Sequence, residues 1–217
     1  MKRKHLIWDL DGTLTDSAGD ILTYLELSLQ EASVDISAKI KPIQIGPPID
    51  IMLKEAFPPG MLTDKKIAEV VTNYRRLYDS SGFPTTVPFK GIEEIISDST
   101  NFTHYIVTNK PNPAADRIVR KLKWDRKIAA LIAQYPRVEQ RKPKSVFFAE
   151  LIAKAGRDKS SFVGIGDVKG DCIAAKKNGI TAIGVLWGAG TKEELKECSD
   201  ELFDDVGRMH DFLLAII

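Results

Sequence analysis

The feature that most constrains this chain is a repeated alternation. Short apolar runs, His5 to Trp8, Tyr105 to Val107, Ile128 to Ala133, Phe162 to Ile165 and Ala182 to Leu186, end in Gly, Asp, Thr or Asn and lead into helical patterns. Runs of this kind suit parallel strands covered on both faces by the intervening helices, so the expected fold is α/β, a Rossmann-like doubly wound parallel sheet. In such sheets ligands bind beyond the carboxyl ends of the strands. The polar residues that end these runs are therefore the first candidates for chemistry.

One stretch breaks the alternation. From about Ser17 to Pro88 the pattern is helical, without a convincing strand, and it reads as an inserted α-helical domain. Ile21, Leu22, Leu25 and Leu29 form one apolar stripe, and Ile67, Val70, Val71, Tyr74, Leu77 and Tyr78 form another; both read as core. The expected division is a core domain of residues 1–16 and 89–217 and a helical cap of residues 17–88. Pro113 suits the first turn of a helix over Ala114 to Lys123, and a helix over Asp171 to Asn178 would end at Gly179.

Composition narrows the partners. Lys plus Arg number 31 against 30 Asp plus Glu, a formal net charge of +1, so no overall field draws the chain to nucleic acid or to an anionic membrane. Any phosphate must be met locally. The basic start Lys2-Arg3-Lys4-His5 precedes an apolar run too short for a signal-peptide core or a membrane span, and a cytoplasmic location is expected. Cys172 and Cys198 have no Cys or His neighbour at zinc-ligand spacing and read as reduced thiols. The sequence leaves both a monomer and a homodimer open.

The segment Trp8-Asp9-Leu10-Asp11-Gly12-Thr13 puts two carboxylates two residues apart at the end of an apolar strand, with Gly12 permitting a sharp exit. In extended chain residues i and i+2 point the same way, so Asp9 and Asp11 could converge on one ligand. Two adjacent carboxylates imply a divalent cation or a shared proton, and an Asp-Gly turn before a helix is the bland alternative. Further strand ends add Thr108-Asn109-Lys110, Gly166-Asp167 and, four residues on, Asp171, with Arg141-Lys142-Pro143-Lys144 supplying fixed positive charge. The two later aspartates are hard oxygen ligands of the kind Mg²⁺ prefers.

This ordered set resembles the haloacid dehalogenase superfamily of phosphatases, from Asp9 to the end of the Asp171 helix. The matching motifs are Asp9-x-Asp11-Gly12-Thr13, Thr108 after an apolar strand, a lysine for which Lys142 directly before Pro143 is favoured over Lys144, and Gly166-Asp167-x-x-x-Asp171. Val107 to Pro111, Ile45-Gly46-Pro47-Pro48 and Gly184 to Gly188 look most like the phosphoglycolate phosphatase group. The resemblance implies a Mg²⁺-dependent phosphatase acting on a small phosphorylated metabolite of the phosphoglycolate kind. Asp9 would be the nucleophile that forms an aspartyl-phosphate, and Asp11 the general acid and base. Thr108 and Lys142 would hold the phosphoryl oxygens, with Gly12, Asn109 and Lys110 nearby in the substrate site. Asp9, Asp11 through its main-chain carbonyl, Asp167 and, from behind, Asp171 would form the Mg²⁺ site. The cap would close over the substrate and select the leaving group.

Two features depart from the family pattern. Ser145 stands where relatives often have Pro, and Asp125 to Gln140 lacks their Gly- and Asp-rich turn. The same resemblance leaves room for a phosphomutase of the β-phosphoglucomutase type, or for a non-catalytic binding protein on the same fold. A dehalogenase fits less well because Asp11 is present, and a phosphonate hydrolase would need a Schiff-base lysine that no context marks at Lys54 or Lys65. Trp8 and Trp187 read as packing residues, His5 and His104 as lying at strand starts away from the site, and Arg75 and Arg76 as largely a solvated helix face.

Overall fold

The computed structural model describes residues 3–135 and 138–217 of the chain. Lys2 of the basic start lies outside the described residues, as do Pro136 and Arg137 within the 125–140 stretch. In chain order the elements are β1 (Lys4–Trp8), β2 (Thr15–Asp16), α1 (Ala18–Glu31), α2 (Ile49–Ala56), α3 (Asp64–Ser80), β3 (Val87–Pro88), α4 (Ile92–Ser97), β4 (Phe102–Pro111) and α5 (Ala114–Lys121). They continue with β5 (Ile128–Gln134), α6 (Lys144–Ala155), β6 (Phe162–Gly166), α7 (Lys169–Lys177), β7 (Thr181–Val185), α8 (Lys192–Lys196), β8 (Glu201–Phe203) and α9 (Val206–Ala215).

Each of the five apolar runs is a strand. They form a six-stranded parallel sheet in the order β5-β4-β1-β6-β7-β8, completed by β8 at one edge. The sheet is Rossmann-like and doubly wound, and β1 is central because it pairs with β4 on one side and β6 on the other. The chain reverses its direction of travel across the sheet there, so the carboxyl end of β1 opens at the topological switch point where such sheets bind ligands. Burial explains the runs: Leu6, Ile7 and Trp8 of β1 are inaccessible to solvent, and Phe147, Phe148, Leu151 and Ile152 of α6 pack with Phe162, Ala174, Ala175 and Ala182 in one cluster. β8 escaped the sequence reading because three residues carry no usable periodicity.

Contacts divide the chain into two compact units, residues 1–16 with 87–217 and residues 17–86. The second unit is helical. Its two apolar stripes bury Ile21, Leu25 and Leu29 of α1 and Ile67, Val70, Tyr74 and Tyr78 of α3. Tyr78 stacks on Tyr74 at 5.0 Å and meets Phe83 at 5.0 Å, while Thr63 caps α3 by accepting the Lys66 main-chain N–H. Val87 and Pro88, read from sequence as the end of the helical stretch, form β3 and pair antiparallel with Asp16 and Thr15 of β2. Two residues are too few to show a period of two.

Among the described residues no helix is long and apolar enough to cross a membrane.

Candidate active site

β1 delivers Asp9 to the carboxyl edge of the sheet, and the Asp9 main-chain N–H donates to the Ile165 carbonyl at 2.9 Å, extending the ladder with β6 by one residue. The chain then turns sharply. Gly12, at φ +79°, donates to the Thr15 carbonyl at 2.8 Å, and a Cβ at this position would overlap the Asp167 carboxylate. Glycine is therefore required twice, for the left-handed backbone and for the close approach.

Asp9, Asp167 and Asp171 are all buried, and one carboxylate oxygen from each lies within 4.8 Å of the others. The cation that faces them is Lys144. Its ammonium is 2.7 Å from Asp9 Oδ1 and also pairs with Asp171, with 5% of its side chain exposed. Asp171 uses its other oxygen to accept the Val168 N–H at 3.2 Å. Asp167 accepts from the Thr13 hydroxyl at 2.8 Å and from the Ala189 N–H at 2.8 Å.

This placement corrects the expectation for Lys142. Its ammonium pairs with Glu150 Oε1 at 2.7 Å and 40% of its side chain is exposed. Helix geometry explains the difference. Lys144 opens α6 on the same stripe as the buried Phe147, Phe148 and Leu151, and side chains of a first turn tilt toward the helix amino end, here the site. Lys142 lies before the turn, with its main chain engaged by Gln134, and its side chain runs along the exposed face that carries Glu150.

Thr108, Asn109 and Lys110 are part of β4, which runs on to Pro111, and do not follow it as the sequence suggested. Thr108 is buried and its Oγ1 accepts the Lys110 N–H at 3.0 Å. The Lys110 ammonium, 5% exposed, pairs with Asp11 Oδ2 at 3.0 Å. Asp9 and Asp11 thus sit beside different cations, because the extended run ends at Trp8 and the turn begins between them.

The electrostatics follow from burial. Asp9 is pushed up to about 7, first by loss of solvent and then by the Asp171 and Asp11 carboxylates, against the pull of Lys144. Asp167 is raised to about 6, mainly by burial and by the charge of Asp9. Burial and Asp167 likewise raise Asp171. Lys144 is driven the other way: burial disfavours its charge, but Asp171 and Asp9 outweigh that and hold it above the ordinary lysine range. Fully ionised, the four carboxylates of Asp9, Asp11, Asp167 and Asp171 exceed the two ammoniums of Lys110 and Lys144 by two negative charges. A buried, all-oxygen donor set with that excess suits a hard divalent cation.

Some contributors carried little signal. Thr13 and the Ala189 main chain orient Asp167, and Trp187 donates from Nε1 to the Thr13 carbonyl at 3.0 Å, fixing the turn as well as packing on Phe89. A Cβ at Gly188 would overlap both Asp167 and the Gly12 carbonyl, so the Gly188-Ala189-Gly190 triplet marks this approach in the sequence. His104 lies within β4, buried, and accepts the Trp8 Nε1–H at 3.2 Å; it is not at a strand start. Arg76 pairs with Glu31 and Lys54 with Asp64, each on an exposed surface.

Comparison with known proteins fits this geometry. Residues 6–185 match the family of haloacid dehalogenase-like hydrolases. The chain is 27% identical over 200 residues to a 5'-nucleotidase of Pseudomonas aeruginosa, covering 90% of this chain and 88% of that protein. It is 28% identical over 189 residues to a phosphoglycolate phosphatase of Xanthomonas campestris, covering 85% and 84%. A haloacid dehalogenase-like family hydrolase from Streptococcus pneumoniae has the same fold, with a TM-score of 0.81 at 21% identity over 97% of this chain and 98% of that one. The chain belongs to the haloacid dehalogenase-like hydrolases, as an enzyme of their phosphatase type similar to the phosphoglycolate phosphatases.

Proposed function

We propose that this chain is a Mg²⁺-dependent phosphatase that hydrolyses a small phosphorylated metabolite, a phosphoglycolate-like phosphomonoester, through an aspartyl-phosphate on Asp9. The observation that carries the reading is the buried Asp9 carboxylate, 2.7 Å from Lys144 Nζ and clustered with Asp167 and Asp171 at the carboxyl end of β1. Asp9 attacks the phosphorus while the bond to the substrate oxygen breaks, and Asp11 gives its proton to that leaving oxygen. Asp11 then takes a proton from the water that attacks the phosphorus of the aspartyl-phosphate, releasing phosphate and restoring Asp9. Two easier displacements replace one hard one.

Lys144, in the place expected for Lys142, balances charge on the phosphoryl oxygens beside Asp9. Thr108 accepts the Lys110 N–H, which leaves its hydroxyl proton for a phosphoryl oxygen, and Asn109 and Lys110 line the same strand end. Asp9, Asp167 and the Asp11 main-chain carbonyl would hold Mg²⁺, with Asp171 acting from behind through Lys144. The bound ion would supply charge compensation between the nucleophile and the phosphate dianion. The 5'-nucleotidase and phosphoglycolate phosphatases among the relatives support a compact phosphomonoester as substrate.

The test is phosphate release from phosphoglycolate, sugar phosphates, nucleoside monophosphates and pyrophosphate, with Mg²⁺ and with a chelator. Metal-dependent release that favours phosphoglycolate is the expected result. Equal release in chelator would remove the metal from the reading, and isomerisation of a sugar phosphate without phosphate release would replace hydrolysis by phosphoryl transfer between positions of the sugar.

A further inference from the structure

Gln134, the last residue of β5, is buried, with 4% of its surface exposed. A buried primary amide must find partners for both ends. Here they come from the main chain: Oε1 accepts the N–H of Tyr135 at 3.1 Å and of Lys142 at 3.1 Å, and Nε2 donates to the Lys142 carbonyl at 2.8 Å. The side chain thus pairs with both main-chain groups of Lys142 as a neighbouring strand would, eight residues further along the chain.

We propose that Gln134 is a positioning residue that sets where Lys144 stands against Asp9; the inference rests on the reading of Lys144 as the cation of the phosphoryl site. Between Lys142 and Lys144 stands only Pro143, whose ring restricts φ, here −59° with ψ 144°. The Pro143 carbonyl accepts the Val146 N–H at 2.9 Å, which starts α6 at once. On the far side of Lys144, Asn178, the residue that ends α7, donates from Nδ2 to the Ser145 carbonyl at 2.9 Å and so holds the same turn. The first turn of α6 is pinned on both flanks, and Gln134 is the pin on the β5 side. Loss of that pin releases Lys142 and shifts the Lys144 ammonium from its 2.7 Å contact with Asp9.

The experiment is a double-mutant cycle on the full chain, with Gln134→Leu, Lys144→Ala and the double variant, read as kcat/KM for p-nitrophenyl phosphate with Mg²⁺. Gln134→Leu is expected to cost about tenfold to a hundredfold in the wild-type background, the scale of a displaced catalytic group. It should cost less than about twofold when Lys144 is already Ala, because nothing remains to position. Equal costs in both backgrounds, or no cost in the wild-type background, overturn the inference while leaving Lys144 in its role. An undiminished rate in Lys144→Ala overturns the role of Lys144 and the inference with it. Gln134→Glu keeps the two accepted N–H bonds and loses the donated one; it should fold and fall between wild type and Gln134→Leu, and a rate equal to wild type would count against the inference even if Gln134→Leu does not fold.

Discussion

Two buried aspartates near the start of the chain, Asp9 in the sheet unit and Asp20 in the helical unit, have opposite electrostatic characters. Burial works to raise both. At Asp20 hydrogen bonds outweigh it: Thr86 donates its hydroxyl at 2.6 Å and its N–H at 2.8 Å, the Thr85 N–H adds contacts at 3.1 and 3.2 Å, and the carboxyl is held below the ordinary range. Asp9 faces one ammonium and a crowd of carboxylates, and it is pushed up to about 7. Burial alone therefore does not mark a reactive acid. Asp20 is supplied with donors and ties α1 to the segment that leaves the helical unit; Asp9 has more negative charge around it than the described cations neutralise, and that excess is what a bound cation can offset.

The contrast with Asp20 is largest in the chemistry at Asp9. Asp9→Asn should lower kcat/KM by about four orders of magnitude or more, the scale seen when a nucleophile is removed, while the melting temperature stays level or rises because a repelled charge is gone. Undiminished phosphate release would remove Asp9 from the chemistry. Next in size is the lysine pair: Lys144→Ala should cost about a hundredfold to a thousandfold, and Lys142→Ala less than about twofold, since its partner Glu150 is an exposed surface pair. The reverse ranking would return the role to Lys142.

The structural acid is tested by stability. Asp20→Ala strands donors of Thr85 and Thr86 in a buried site, with an expected loss of about 2–4 kcal/mol in urea unfolding. A loss below about 0.5 kcal/mol would show that water replaces the carboxylate, on the scale of an ordinary surface change. The smallest effect concerns His104, lowered by burial to about 4 from 6.5. The unfolded chain then binds more protons than the native one between those values, so this residue's contribution to stability is complete above about pH 6.5 and is lost as pH falls toward 4. His104→Leu should flatten that acid limb relative to wild type in unfolding curves taken from pH 4.5 to 7. An unchanged slope would show that His104 is not its source.

Much of the fold was legible in the sequence. Four of the five apolar runs, those of β1, β4, β6 and β7, are interior strands, and a strand buried on both faces must be apolar along its whole length, which leaves a continuous local signal; the fifth, β5, is a half-buried edge strand whose apolar run was equally legible. The helical stripes of α1 and α3 were legible for the same reason, as one buried face repeats every three to four residues. β2, β3 and β8, of two or three residues each, carried no such repeat.

The sheet-and-helix alternation, the helices that follow Asp16, and the position of Asp9 and Asp167 directly after apolar strands were legible along the chain, because each of these is written in local periodicity or in the residue that follows a run. Long-range packing sets which lysine faces Asp9, that Asp11 pairs with Lys110, that Gly188 to Gly190 approach Asp167, and that Gln134 and Asn178 flank the start of α6. Lys142 and Lys144 look equivalent along the chain. A turn that starts a helix sends one into the buried carboxylates and leaves the other in solvent, and the direction of a side chain at a helix start depends on where the preceding backbone is anchored.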